Sequence, residues 1–523
     1  MIIPFILEKA VSLYPHKEAV VCGDRRFTYK QFGDRAYALA SAFHGMGIRK
    51  GDRIAILHPN GHQYLETYFA AALLGVILNP LNVRLSPKEL AFILMDSGAR
   101  FLIAAPRYKD SVNAVMMLDT YITDIIWTGT QPEKNAFKSL EYEDLVYSNQ
   151  DNSKMPDVSI FDDDVAHLYY TSGTTGRPKG VMLSHKNVCT HALAAIAELR
   201  LGDHDHWIHV APLFHLADAW ATFAVTWAGG KHILMPDFDP PLILSTIQKE
   251  KITITNMVPT MLNTLIHTNG VESFDFSSLR VILSGGAPIA PELVKRIMET
   301  FRCDYVQTYG MTETSPYLTV SILKEHLRNL PQEEQFQYKS KTGRPFLGIL
   351  LKVVREDGAE VNADDKEVGE IIVKGDIVTQ GYWNRPKETA EAIKDGWLHT
   401  GDMAIVDQEG YVNIVDRKKD VIITGGENVY SIEVENILYS HPAVLEAVVV
   451  GLPDPKWGES VKAVIVLKPG CIACEEEIIQ HCRANIAGFK TPKSVDFFTE
   501  LPRTGSGKIH KKKIREMFQS PGD

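Results

Sequence analysis

Tyr169-Tyr170-Thr171-Ser172-Gly173-Thr174-Thr175-Gly176-Arg177-Pro178-Lys179-Gly180 gathers hydroxyls, glycines and a lysine between two apolar runs, 165–170 and 181–183. Glycine lets backbone N–H groups come close to a polyphosphate, and Ser and Thr add short donors. Lys179 adds a point charge for a phosphate oxygen. A Walker A loop would place its lysine directly after the glycine; here Arg177 and Pro178 intervene. Ser, Thr, Gly and Pro clusters also make polar linkers, but a linker has no use for a fixed lysine between two strands. The run reads as a nucleotide-phosphate loop of another design.

Working outward, 523 residues and 58.4 kDa are too much for one simple core, so two or more domains are expected. A net charge of −10 and a pI near 6.0 argue against nucleic acid as the main partner. Any anion site must then be a local basic pocket on an acidic body. No apolar run approaches the roughly 18 residues of a transmembrane helix. Met1-Ile2-Ile3-Pro4-Phe5 lacks the basic start of a signal peptide, and Ser520-Pro521-Gly522-Asp523 carries no peroxisomal or lipidation signal. Six cysteines in so long a chain suggest reduced thiols and a cytoplasmic protein. Cys471 and Cys474 form a CxxC with His481 and Cys482 nearby; incidental thiols at a turn before a helix are favoured over a metal or redox role.

Helix and strand patterns alternate from the start. Thr28 with Gln31, and Ser86-Pro87 with Glu89, are capping boxes, the first followed by Phe32, Ala36, Leu39 and Phe43 at helical spacing. Residues 53–57 read as a buried strand, and Leu65, Tyr68, Phe69, Ala72 and Leu73 as one face of a second helix. Residues 128–164 read as a polar surface connection. The expected fold class is α/β: a large N-terminal domain (1–416) of layered α/β subdomains, predicting parallel sheets. After a charged run at 416–420 comes a small, mobile C-terminal α+β domain (417–523), with a helix near 431–440, strands at 444–451 and 462–467, and a helix at 475–487.

Further constellations carry chemistry. Gln307-Thr308-Tyr309-Gly310-Met311-Thr312-Glu313-Thr314 sets a carboxylate among hydroxyls, which suits Mg²⁺ held by one carboxylate plus phosphates; alone it reads equally well as a solvated helix start. Ser284-Gly285-Gly286-Ala287-Pro288 follows a strand and could let a flat ring lie on the backbone, or be an ordinary turn. His399-Thr400-Gly401-Asp402 offers a carboxylate on a turn, and Arg417 an always-charged fork; an acid is a natural acceptor for ribose hydroxyls. In isolation, an Asx-turn and a surface salt bridge would explain these two as well. Leu501-Pro502-Arg503-Thr504-Gly505-Ser506-Gly507-Lys508 puts one lysine among glycines, as on a loop delivering charge to an anion, or as the start of a basic solvated tail.

Taken in order, these strings resemble the adenylate-forming superfamily of acyl-CoA synthetases, 4-coumarate-CoA ligases, firefly luciferase and peptide-synthetase adenylation domains, over nearly the whole chain. The resemblance implies an AMP-forming carboxylate–CoA ligase using ATP, Mg²⁺ and coenzyme A. It places Thr171, Ser172, Gly173, Thr174, Thr175, Gly176 and Lys179 on the phosphates. Gly286, Ala287, Pro288, Gln307, Thr308, Tyr309 and Thr312 fall around adenine and the α-phosphate, Glu313 and Thr174 at Mg²⁺, and Asp402 with Arg417 at ribose. Lys508 bridges carboxylate and α-phosphate, and Lys419 is the hinge about which the small domain rotates. His215, Trp220, Val258, Gly285, Gly310 and Met311 line the acyl pocket. Gly425, Gly426 and Glu427 meet coenzyme A. Glu313, Thr174, His215 and Lys508 are the expected catalytic set. Many relatives have a lysine where this chain has Ile423, so that nucleotide contact is not carried over. The apolar pocket residues point to a medium-to-long aliphatic acid, with an alicyclic or aromatic acid next. Asp218 could face an amino-acid ammonium or point away. The rivals are a stand-alone acyl-AMP ligase, an adenylation domain serving a carrier protein, a luciferase-like oxidase and a catalytically silent binding module. Nucleic acid is not an expected partner; monomer or homodimer, and peripheral membrane contact, stay open.

Overall fold

The computed structural model describes residues 1–130, 138–149, 157–171, 177–503 and 509–519. Four sheets are present among them. One runs, edge to edge, through Lys138–Glu141, Asp124–Trp127, Phe101–Ala104, Arg53–Leu57, Ile77–Pro80, Val165–Thr171 and Lys179–Ser184, parallel except for its last pair. A nine-stranded sheet has Tyr317–Val320, Asp304–Gly310, Val281–Gly285, Ile254–Asn256 and His206–His209 as consecutive neighbours.

Helices fill the space between these two sheets. The largest core joins Ile54, Leu78 and Ile103 of the first to Trp207, Ile254 and Leu283 of the second through Phe32, Phe69, Ala192 and Phe223. Both predicted capping boxes form: Thr28 Oγ1 accepts from the Gln31 N–H at 3.3 Å, and Ser86 Oγ from Glu89 at 3.4 Å. Helix His62–Leu73 is buried on every side, so its apolar residues form no single stripe.

Residues 128–164 are not all surface connection. They contain the strand Lys138–Glu141 and the helix Tyr142–Ser148, which buries Tyr142 and Val146. Two buried side chains among Glu141, Glu143 and Asp144 leave too weak a periodicity to see in the sequence.

A third sheet, Ile349–Val354, Gly369–Gly375, Trp397–Val406 and Ile393–Lys394 with Val412–Arg417, packs Val373, Leu398 and Val412 beneath Leu318. The last sheet pairs Val444–Asp454 with Gly458–Leu467 in a hairpin longer than the sequence pattern suggested, joined by Ile422–Thr424, Glu427–Val429 and Ser494–Phe497. Helices Ser431–Ser440, Glu475–Asn485 and Lys511–Gln519 cover it, and its cores draw on residues 422–518 alone.

Candidate active site

Strands Val165–Thr171 and Lys179–Ser184 run antiparallel, pairing Thr171 with Lys179 at the mouth of the glycine loop. Ser172, Gly173, Thr174, Thr175 and Gly176 lie outside the described residues, as do Thr504 to Lys508. What surrounds the loop is defined. Segment 379–383 sews the Lys179 strand to the Glu313 turn: Trp383 N–H donates to the Gly180 carbonyl at 2.8 Å, and Thr379 N–H to the Glu313 carbonyl at 2.7 Å. Tyr382, in the middle, donates its hydroxyl to Glu313 Oε1 at 2.9 Å while its ring sits 5.2 Å beneath Lys179 Nζ. Sequence reasoning missed Tyr382; the Gly381-Tyr382-Trp383 step after a strand was the available signal.

Glu313 is 7% exposed, on a short 3₁₀ turn Thr312–Thr314, so it is not a solvated helix start. Burial pushes its carboxyl above the usual range, with Tyr382 and Arg417 pulling the other way. A buried carboxylate whose close partner is a neutral hydroxyl fits a divalent cation. Among the described residues no three His, Cys, Asp or Glu side chains converge as a ready metal cage. Mg²⁺ held by one carboxylate and substrate phosphates needs none.

His399 to Asp402 lie within strand Trp397–Val406 rather than on a turn. The register sets Asp402 opposite Arg417. Asp402, 3% exposed, takes the Arg417 Nε–H at 2.9 Å on one oxygen and the Tyr309 hydroxyl at 2.6 Å on the other. An ionised carboxylate offers about four lone-pair sites, so acceptor capacity for ribose hydroxyls remains. Asp402 in turn raises Arg417. Arg417 and Asp402 both act electrostatically on Glu313, so the two clusters belong to one site.

The residues expected at adenine sit on adjoining strand ends. Gln307 accepts the Tyr305 hydroxyl at 2.5 Å and donates to the Ala287 carbonyl at 2.9 Å; Gly286, Ala287 and Pro288 stand exposed beyond it. Thr308 donates to the Ser284 carbonyl at 3.0 Å, against Gly285. A Cβ on Gly310 would overlap the Pro316 carbonyl, so the fold itself requires that glycine. Met311, Thr312 and Val258 are half-buried nearby.

His215, half-buried, caps helix Leu216–Ala228, its Nδ1 accepting the Ala217 N–H at 3.2 Å. Trp220 is 2% exposed and donates to the Ala217 carbonyl and the Tyr317 hydroxyl, packed among Trp207, His191 and Tyr317. Asp218 turns into the core. It is fully buried, accepting from Trp207 Nε1 at 3.1 Å and bonded to His209 Nδ1 at 2.8 Å.

On the small domain, Gly425 and Gly426 turn between strands Ile422–Thr424 and Glu427–Val429, both at positive φ. Gly425 N–H donates to the Trp457 carbonyl at 2.8 Å, with the half-exposed indole against it. Glu427 and Lys419 are exposed, and Ile423 is an exposed apolar side chain. Cys471 and Cys474 are free and exposed.

The AMP-binding enzyme family matches residues 7–383, and the AMP-binding enzyme C-terminal domain matches 433–508. This chain belongs to that family. It is 39% identical over 514 residues to a feruloyl-CoA synthase of Amycolatopsis, covering 98% of both chains. It is 36% identical over 525 residues to a long-chain-fatty-acid–CoA ligase of Thermus thermophilus, covering 98% of this chain and 95% of that one. A crystal structure of the anthranilate CoA ligase AuaEII with anthranoyl-AMP superposes with a TM-score of 0.88 at 27% identity, covering 99% and 97%. The AMP-binding enzyme described here is therefore an AMP-forming acyl-CoA ligase working with ATP, Mg²⁺ and coenzyme A. No helix among its described residues is long and apolar enough to cross a membrane.

Proposed function

We propose that this ligase activates an apolar carboxylic acid, medium-to-long aliphatic or aromatic, and passes it to coenzyme A. The observation carrying the site assignment is the pair of contact chains Lys179–Tyr382–Glu313 and Arg417–Asp402–Tyr309, with Arg417 and Asp402 close enough to act electrostatically on Glu313. The acid's carboxylate oxygen attacks the α-phosphorus, the bond to the β-phosphate bridge breaks, and pyrophosphate leaves. The thiol sulfur of coenzyme A then attacks the acyl carbonyl carbon, gives up its proton, and AMP departs with the bridging oxygen. A carboxylate is already a nucleophile, so the first half rests on positioning and charge neutralisation.

In this reading Glu313 with Thr174 holds Mg²⁺, Asp402 and Arg417 hold ribose, and Gln307, Tyr309 and the 286–288 backbone hold adenine. Lys179 and residues 171–176 grip the phosphates. Lys508 neutralises charge between carboxylate and α-phosphate. His215, Val258, Gly285, Gly310 and Met311 form the acyl wall, with Trp220 packed behind it. The division falls between 416 and 417, and the small domain turns about Lys419 to bring Gly425, Gly426 and Glu427 to coenzyme A. The separate core of residues 422–518 supports such a rotation. An apolar substrate suits the side chains named, and the compared relatives take aromatic and long aliphatic acids. Six free thiols agree with a reducing, cytoplasmic setting, with the chain as monomer or homodimer and any membrane contact peripheral.

A panel of acids with ATP and Mg²⁺, with and without coenzyme A, tests the proposal. Cinnamic, benzoic and decanoic acids should release AMP and pyrophosphate and yield acyl-CoA only with the thiol. A preference for acetate or amino acids would overturn the substrate class. Lys508→Ala should slow adenylate formation by about 10²–10³; a near wild-type rate would remove Lys508 from its role.

A further inference from the structure

Helix Lys511–Gln519 presents two faces at helical spacing. Ile514 and Phe518 face the small sheet: Ile514 is fully buried with Leu501, Val448 and Val464, and Phe518 packs beside them with Lys462 Nζ 4.5 Å over its ring. Lys511 and Arg515, also four apart, face the connection between the domains. Arg515 pairs at 2.8 Å with Asp420, the residue after Lys419. Lys511 Nζ lies 2.8 Å from Glu435 and donates to the Ser431 hydroxyl at 2.5 Å. The Ser431 backbone N–H donates to Asp416 Oδ2 at 2.5 Å, and Asp416 immediately precedes Arg417 of the ribose clamp. Burial raises the Asp416 and Glu435 carboxyls; against the pull of its own burial, Glu435 and then Asp416 raise Lys511. The helix is thus tied directly to Asp420 by Arg515 and, by way of Ser431, to Asp416 on the other side of Lys419.

We propose that Lys511 is a positioning residue for the adenylation half-reaction, anchoring the helix that follows Lys508 by three residues to Glu435 and Ser431, and through Ser431 to the Asp416 strand end. The proposal rests on the role assigned above to Lys508. Residues 504–508 lie between Arg503 and Ile509, which are paired as a β-bridge, and Lys511 fastens the chain just beyond that bridge. Loosening this anchor widens the range of positions from which a lysine at 508 must be delivered. That loss of orientation is felt only in the half-reaction that uses the lysine.

Full-length Lys511→Met and Lys511→Arg test it in single-turnover assays with an acid accepted in the panel. One assay follows acyl-AMP formation from acid and ATP without coenzyme A; the other follows thioester formation from preformed acyl-AMP and coenzyme A. Lys511→Met should slow the first by about tenfold, leave the second within about twofold, and Lys511→Arg should restore most of the loss. Equal losses in both halves, accompanied by a lower melting temperature, would reduce Lys511 to packing and overturn the proposal. Should Lys511→Met fail to fold, Glu435→Gln/Lys511→Met removes both buried charges together and is held to the same split. Lys508→Ala run alongside separates the two claims. If it leaves adenylation intact, the Lys508 reading falls; if it slows adenylation and Lys511→Met does not, only the Lys511 proposal falls.

Discussion

Glu313 is a carboxylate held where water hardly reaches, with a phenol as its close partner in the protein. Its folded pKa is raised above the ordinary 4.5, so protonation favours the fold. That advantage is complete below about 4.5 and is lost as pH rises through the raised value. At neutral pH the ionised side chain therefore costs stability until a cation arrives, an arrangement in which binding function is set against folding. Glu313→Gln keeps the acceptor for Tyr382 and removes the charge. The variant should be more stable than the wild type at pH 7 without ligand, by on the order of 1 kcal/mol, with the gap closing toward pH 4.5. Adenylate formation should fall by about 10²–10³. Thermal melts across pH and a pyrophosphate-release assay check both halves of the prediction.

At the scale of elements, helix Leu216–Ala228 carries two kinds of polar residue that the sequence does not tell apart. His215 caps its N-terminus, whereas Asp218 turns inward to a fully buried chain of Trp207, His209, His232 and Thr226. Asp218→Asn would set an amide N–H₂ against a buried donor. The expected cost is about 3 kcal/mol, read as a shift in the urea midpoint. The ranking of acids in the panel should not move, because Asp218 faces the nine-stranded sheet; a changed ranking would return it to the acyl pocket. The same contrast applies to Asp402. His399 to Asp402 read as a turn in the sequence; they form strand, and the register with Val412–Arg417 is what brings Arg417 to Asp402.

At the scale of the molecule, the C-terminal unit has its own core, in which Val434, Val449, Ile465 and Ile478 are buried against one another. Asp416, on the far side of the proposed division, supplies the acceptor for the first N–H of helix Ser431–Ser440. A fragment of residues 416–523 is expected to melt cooperatively by circular dichroism. One beginning at 417 should lose about 1–2 kcal/mol, the worth of a charge-assisted hydrogen bond at a buried helix start. Equal stability of the two would show that the domain owes nothing to the strand that holds Arg417.

The string from Thr171 to Lys179, with Glu313, Asp402, Arg417 and Lys508 in order behind it, was enough to identify the nucleotide chemistry. Close approach of backbone to phosphate and fixed charges on short turns demand particular residues at particular spacings, and such demands are written locally. The capping boxes at Thr28 and Ser86 were legible for the same reason. Tyr382, the inward turn of Asp218, the buried strand and helix within 128–164, and the contacts of helix Lys511–Gln519 beside Lys419 were not. Each depends on which distant segment packs opposite. A tyrosine or lysine carries no mark of its partner until strand register and helix packing, set by the shared core, bring residues far apart in the chain to within 3 Å.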